Sequence, residues 1–112
     1  MEELNNLELT LLNALTEKYP SLKSHIPYLK LKERKNTGVG MLVDLEYVNG
    51  DELNFDDMNA LFSNGENIEI KGLKQGLNYV IDVTDGKILY IEFSTYGENW
   101  NGEFGEYKII KD

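Results

Sequence analysis

Apolar positions in the first twenty residues recur at intervals of three, four and seven, the spacing that places side chains on one face of a helix. They are Leu4, Leu7, Leu11, Leu12, Leu15 and Tyr19. Pro20 disfavours helical geometry in the residue before it, so the helix is predicted to end near Tyr19. Residues 21–25 can add a short second helical turn before Pro27 stops it. The pattern thus predicts an N-terminal helical segment that contacts the core through its leucines.

The spacing of apolar residues changes to two after residue 28, which is the period of a strand. Leu29, Leu31 and Glu33 are placed on one face, and Lys30, Lys32 and Arg34 on the other. Such a charged strand is typical of a sheet edge, where lysines discourage pairing with another chain. Residues 37–40 read Thr-Gly-Val-Gly, which indicates a turn or bulge, and apolar positions alternate again over residues 39–47. These two segments are predicted to form a hairpin.

The segment that follows Asn49-Gly50 has no clear period. It contains an apolar cluster within residues 55–62, and Asn54 stands where a helix N-cap would stand. Asp56 and Asp57 would then lie in the first turn, where negative charge is favourable. We therefore predict a short helix over residues 55–62.

Further strands are predicted in the C-terminal half. Residues 68–70 form a short apolar strand, and residues 79–83 alternate up to Asp85-Gly86, a dipeptide typical of tight hairpin turns. Residues 87–95 are apolar on both faces, as in a central strand, and residues 104–110 supply a last strand. Helices followed by strands predict an α+β domain, with the N-terminal helix packed on one face of an antiparallel sheet of about five or six strands. One domain is expected for residues 1–112.

Composition narrows the chemistry available to this domain. The chain of 112 residues has no cysteine, which excludes disulfides, thiolate metal sites and cysteine nucleophiles. His25 is the only histidine and has no partner motif beside it, so we interpret it as a structural residue. We predict no metal site, no cofactor and no catalytic residue. The N-terminus is acidic where a secretion signal is basic, and no apolar run could span a bilayer, so a cytoplasmic location is expected.

The charge of the chain is unevenly distributed. The net charge is −9, and residues 36–112 hold five basic and fifteen acidic residues, a balance of −10. A surface of this sign repels phosphate backbones and anionic lipids, so neither nucleic acid nor membrane is expected as a partner. The same field attracts a basic protein, although a role in solubility is enough to explain the charge alone.

Two loops offer candidate binding residues for such a basic partner. The first contributes carboxylates between residues 51 and 57, and the second combines carboxylates with aromatic rings between residues 96 and 103. The candidates are Asp51, Glu52, Asp56, Asp57, Tyr96, Glu98, Trp100 and Glu103. Carboxylates would pair with Lys or Arg while Tyr96 and Trp100 supply buried contact area. The same rings could instead close one end of the core, because Trp is usually well buried.

Glu92 supports an alternative function as a hydrolytic or small-ligand domain. A two-residue turn at Asp85-Gly86 pairs Tyr79 with Glu92 across the hairpin and places Asp82 on the opposite face. Glu92 would then share a face with Tyr79 and Tyr90, and a buried carboxylate there could act as a general acid or base. A third alternative is a structural subunit that forms a homodimer or larger assembly through an exposed sheet edge.

Two stretches, residues 37–41 and 85–100, resemble a family of small bacterial proteins of unknown function. They read Thr-Gly-Val-Gly-Met and Asp-Gly followed by Ile-Glu-Phe-Ser-Thr-Tyr-Gly-Glu-Asn-Trp, and the resemblance covers most of residues 20–101. Asn101 departs from it, because the family would have proline after the tryptophan. In size and charge the chain also resembles bacterial immunity proteins, which neutralise a basic toxin or nuclease. That resemblance implies a non-enzymatic, protein-binding inhibitor, and this is the leading prediction.

Overall fold

A computed structural model describes residues 3–63 and 65–110 and confirms the α+β class. The predicted N-terminal helix is present as α1, Asn6–Lys18. Asn5 caps it, since the Asn5 Oδ1 accepts from the Glu8 backbone N–H at 2.8 Å and the Glu8 Oε1 accepts from the Asn5 N–H at 2.8 Å. This reciprocal capping box fixes where the helix begins and holds the Glu8 carboxylate close to its axis.

A 3-10 helix, Pro20–Tyr28, follows α1 and is longer than predicted. The expectation that Pro27 would stop the turn is wrong, because Pro27 lies inside the helix. The fixed φ of proline fits a 3-10 turn, and one missing N–H costs little in a helix this short. The longer segment carries His25 and Leu22 into the core.

Over residues 3–63 and 65–110 the sheet has seven strands, one more than the upper prediction, and these pair antiparallel. The strands are β1 Leu29–Asn36, β2 Gly40–Tyr47, β3 Ala60–Phe62, β4 Asn67–Ile70, β5 Leu77–Thr84, β6 Lys87–Thr95 and β7 Tyr107–Ile110. Their order is β1-β2-β6-β5-β4-β7, and β3 also pairs with β5. The β1–β2 hairpin, the edge position of β1 and the central position of β6 are therefore confirmed.

The predicted helix over residues 55–62 is wrong. Residues 60–62 form β3 instead, and the residues before it are irregular. They bond to the β5–β6 turn, where the Gly86 N–H donates to the Met58 carbonyl at 2.8 Å and the Asp85 N–H donates to the Asn59 side-chain Oδ1 at 3.0 Å. An eight-residue helix is marginal without such partners, so the tertiary contacts prevail.

The core lies between α1, the 3-10 helix and one face of the sheet. A bulge at Lys32 shifts the β1–β2 register, so that Glu33 lies opposite Asp44 and Arg34 lies opposite the buried Val43. The prediction that Arg34 shares the polar face with the lysines is therefore wrong. Arg34 turns toward α1, where its Nε donates to the Glu8 Oε2 at 2.9 Å.

Candidate binding face

The sheet has one face covered by the helices and one face without a covering layer. Along β2, buried Met41, Val43 and Leu45 alternate with partly exposed Leu42 and Asp44. We call the uncovered side the open face. Its central residues are Leu42, Asp44, Leu61, Val80, Asp82, Tyr90 and Glu92. Antiparallel sheets commonly leave one face to water, so what distinguishes this surface is its composition.

The composition of the open face depends on an irregularity in the β5–β6 hairpin. Asp85 and Gly86 have φ angles of 51° and 78°, as the predicted tight turn requires, and Val83 pairs with Ile88 as expected. The register then shifts, which leaves Leu89 without a partner and places Asp82 opposite Tyr90. The prediction that Asp82 lies on the face opposite Glu92 is therefore wrong.

Tyr90 lies at the centre of a row of residues across the sheet. Asp44 on β2 is its partner on one side and Asp82 on β5 is its partner on the other, with Leu61 of β3 beyond. Directly opposite residues on neighbouring strands have Cβ atoms about 5 Å apart. Two carboxylates therefore flank the Tyr90 ring.

A second row places another carboxylate beside Tyr90. Glu92 is two residues further along β6, between Leu42 and Val80 on the neighbouring strands. Partial burial raises the pKa of the Tyr90 phenol, and the negative charges of Asp82 and Glu92 raise it further. The phenol therefore lies in a region of negative potential bordered by aliphatic side chains.

Little positive charge balances the carboxylates of the open face. The Lys35 Nζ lies 3.8 Å from the Asp44 Oδ2 and 3.7 Å from the Glu33 Oε2, at the β1 side. The Asp82 Oδ2 accepts from the Thr84 hydroxyl at 2.7 Å. Within residues 3–63 and 65–110, the Glu92 carboxylate makes no hydrogen bond or ion pair and is exposed. Glu92 is thus available to an external cation.

The structure divides the eight predicted binding residues between opposite ends of β6. Asp51, Glu52, Asp56 and Asp57 are exposed on the loop that packs against the β5–β6 turn. Gly86 lies so close to the Asp56 backbone that a side chain would not fit there. The other group follows the far end of β6, a strand whose nine residues span about 30 Å. The two loops therefore do not form one continuous site.

Trp100 belongs to the core at the far end of β6. It is only 6% exposed, and its Nε1 donates to the Glu103 carbonyl at 3.1 Å. Its ring makes an edge contact with Phe104, which makes another with the buried Phe93, both with centroids 5.2 Å apart. Tyr96 is 47% exposed and Glu103 is exposed, so of the two interpretations of this loop, core closure describes Trp100 and surface exposure describes Tyr96.

Glu98 connects two loops. Its Oε1 and Oε2 accept from the backbone N–H groups of Lys74 and Gln75, each at 2.9 Å. The hydrogen bonds from Lys74 and then Gln75 lower the pKa of the Glu98 carboxyl, because they favour its charged form. Both oxygens are thus engaged within the chain.

The observed register separates Glu92 from Tyr79. Tyr79 pairs with Phe93, and its hydroxyl donates to the Oε1 of buried Glu66 at 3.1 Å, whereas Glu92 lies opposite Val80. The predicted Tyr79–Glu92 pair is therefore wrong, and the burial on which the hydrolytic hypothesis depends is absent at Glu92. The burial of Glu66 was not predictable, since nothing in the polar sequence around it distinguishes this carboxylate from an exposed one.

The described residues form neither a metal-ligand cluster nor a membrane-spanning helix. Over residues 3–63 and 65–110, no three His, Asp or Glu side chains converge as ligands of a metal ion would. In the same part of the chain, the helices are too short and too polar to cross a bilayer.

Comparison with protein-family models, curated proteins and solved structures found no match to this chain. The resemblance to small bacterial proteins and to immunity proteins therefore stays a prediction.

Proposed function

We propose that the protein is a non-enzymatic binding domain that takes a basic protein on its open face. The observation that carries this proposal is the arrangement around Tyr90, with Asp44 and Asp82 on either side and Glu92 along the strand. Aromatic rings supply contact area at interfaces, and surrounding carboxylates pair with Lys or Arg. Leu42 and Val80 add apolar area within the same two rows.

Long-range electrostatics supports the same partner class. Residues 36–112 carry five basic and fifteen acidic residues, a balance of −10, and the acidic loop at residues 51–57 lies beside one end of the open face. Charges at the rim of an interface act mainly on the rate of association. Asp51, Glu52, Asp56 and Asp57 would therefore steer a basic partner rather than anchor it.

The most concrete form of the proposal is an immunity-type inhibitor of a basic toxin or nuclease that acts in the cytoplasm. It is supported by the small size, the acidity and the open face. In this form Tyr90 is the central anchor and the exposed Tyr96 is a peripheral contact. Trp100 and Glu98 act from within, since one fills the core and the other holds a loop.

The partner can be sought by capture with the tagged protein from extract of the source organism, at low and at high salt. We expect one basic protein in stoichiometric amount, held less tightly as the salt concentration rises, because salt screens surface charges. Absence of a specific partner at either concentration would overturn the proposal. Light scattering of the protein alone would then test for a defined homo-oligomer, the state expected of a structural subunit.

The binding face is tested by titration calorimetry with the captured partner. Tyr90→Ala is expected to weaken binding about 30-fold, the effect of a hot-spot residue. The double variant Asp82→Asn/Glu92→Gln should also weaken it strongly. The matched control is Asp51→Asn/Glu52→Gln, which changes the net charge by the same amount on the loop at residues 51–57, outside the open face, and should slow association only modestly. If the control weakens binding as much as the double variant on the open face, the loop is the site and the open face is not.

A further inference from the structure

His25 is the buried member of a cluster of three aromatic rings that connects three segments of the chain. It is 2% exposed, and its ring makes edge contacts with Tyr47 of β2 at 5.5 Å and with Phe55 of the acidic loop at 5.2 Å. Tyr47 and Phe55 contact each other at 5.4 Å. The acidic loop, residues 49–59, therefore rests on a histidine contributed by the 3-10 helix.

The hydrogen bonds of this cluster are satisfied by one protonation state of His25. Its Nε2 lies 3.3 Å from the Asn54 carbonyl, which can only accept, so the proton must be on Nε2. Its Nδ1 lies 2.9 Å from the Tyr47 hydroxyl and is then the acceptor for the phenolic proton. The Tyr47 oxygen in turn accepts from the Ile88 N–H at 2.9 Å. Burial raises the pKa of Tyr47 despite the opposing effect of the Ile88 bond, so the phenol keeps its proton to donate.

We propose that His25 is a pH-sensitive latch that holds the acidic loop while its ring is neutral and releases the loop when the ring is protonated. Protonation adds a proton to Nδ1, which until then carried none. Nδ1 and the Tyr47 hydroxyl are then both donors, so the hydrogen bond between them is lost. The phenol must turn its proton away, and it loses its acceptor. A buried charge without a counterion is also unfavourable. Neutral His25 therefore favours the closed loop, and acid favours the open one.

The charged groups around the cluster have opposite effects on a positive charge at the His25 ring. From β6, the Lys87 Nζ lies 5.1 Å from the centroid of the Phe55 ring and opposes a second positive charge nearby. From the loop, Asp56 and Asp57 follow Phe55 directly and favour a positive charge, but they are exposed and screened by water. Among residues 3–63 and 65–110, no carboxylate forms a hydrogen bond or ion pair with His25. The desolvated ring therefore gains no direct compensation for its charge.

Amide hydrogen exchange of the wild-type protein tests the latch, because the Ile88 and Leu53 N–H groups report on it. Ile88 donates to the Tyr47 hydroxyl, and Leu53 donates to the Gly50 carbonyl within the loop. Histidines ordinarily take up a proton between about pH 5 and 8. From pH 8 to 5, the protection factors at both amides, corrected for intrinsic exchange, should fall about tenfold, the equivalent of roughly one hydrogen bond. The Ile91 amide of central β6 should stay protected over the same interval.

Two variants sharpen the test. His25→Gln keeps a donor and an acceptor but cannot titrate, so its loop protection should be independent of pH over that interval. Tyr47→Phe removes the donor to the neutral ring and also the acceptor of the Ile88 N–H, so only Leu53 reports on the loop in this variant. Because the neutral ring no longer gains that hydrogen bond, the fall in Leu53 protection between pH 8 and 5 should be smaller than in the wild type. Should either variant fail to fold, the wild-type measurement is sufficient by itself. Constant protection down to pH 5, or an equal loss at Ile91, would overturn the latch.

Discussion

The two faces of this sheet differ in chemistry although the same strands supply both. On β6, Ile91 and Phe93 are buried under the helices, and Tyr90 and Glu92 alternate with them on the open face. Alternation explains this division, because successive side chains of a strand point to opposite faces. The covered face holds the apolar core, and the open face keeps most of its charge in contact with water.

Two bulges, rather than the alternation, give each face its unusual residue. The bulge at Lys32 turns Arg34 onto the covered face, where it meets Glu8 of α1. The irregularity at Leu89 shifts the alternation of β6, so that Tyr90 and Glu92 lie on the open face beside Asp82. A shift of one residue moves the following side chains to the other face of the sheet. One extra residue in a strand is therefore enough to place a charged side chain on a different face. The two bulges therefore determine both the buried ion pair and the candidate binding face.

The largest difference between the faces is expected in stability. Phe93→Ala should lower the free energy of unfolding by about 3–5 kcal/mol, because it opens a cavity in the core. Glu92→Ala, one residue away on the open face, should change it by less than about 0.5 kcal/mol. Urea unfolding monitored by circular dichroism measures both. Equal losses would mean that the open face is covered in solution.

Trp100→Ala should have the next largest effect, since the indole extends the covered face beyond the end of β6. We expect a loss of about 3 kcal/mol in unfolding free energy, at the lower end for tryptophan because the residue lies at the core margin. Tyr96→Ala, the exposed aromatic residue of the same loop, is the control and should cost less than about 0.5 kcal/mol. If Trp100→Ala weakened partner binding without any loss of stability, its place would be in the interface.

The ion pair of the covered face should contribute less. Glu8→Gln keeps the capping box, since glutamine also suits that position, but it removes the negative charge that contacts Arg34. The Arg34 side chain is 17% exposed and therefore partly solvated. We expect the free energy of unfolding to fall by about 2 kcal/mol, which is less than the cost of breaking a fully buried ion pair. Adding Arg34→Met should recover part of that loss in a double-mutant cycle. Additive losses in the cycle would show that the two side chains are not coupled.

Most of the fold was predictable because local signals and tertiary contacts agree. The period of the leucines gives α1, and Asp85-Gly86 gives the β5–β6 turn. The absence of a helix over residues 55–62 was not predictable, because the Met58 carbonyl and the Asn59 side chain accept hydrogen bonds from Gly86 and Asp85, which are distant in sequence. No local pattern reports such partners.

The candidate face was less predictable than the fold. Tyr90 and Glu92 could be assigned to one face by alternation, but the neighbours Asp44 and Asp82 depend on strand order and register. Neither irregularity is marked by a glycine, since the unpaired residues are Lys32 and Leu89. A sequence shows which residues alternate, but it does not show where a bulge leaves one residue unpaired between two strands.

The smallest expected effect concerns Glu98, whose carboxylate connects two loops at the far end of β6. The Lys74 and Gln75 N–H groups lower its pKa in the folded state, so the ionised form stabilises the fold. That contribution is present above the ordinary glutamate value of about 4.3 and is lost as pH falls through the lowered folded value. Glu98→Gln should therefore reduce Tm slightly at pH 7, and the gap to wild type should close at an acidic pH below the lowered folded value. Glu103→Gln, an exposed carboxylate in the same loop, is the control and should show no gap at either pH. A gap of equal size at both pH values would mean that the shape of the Glu98 side chain, and not its charge, holds the loops together.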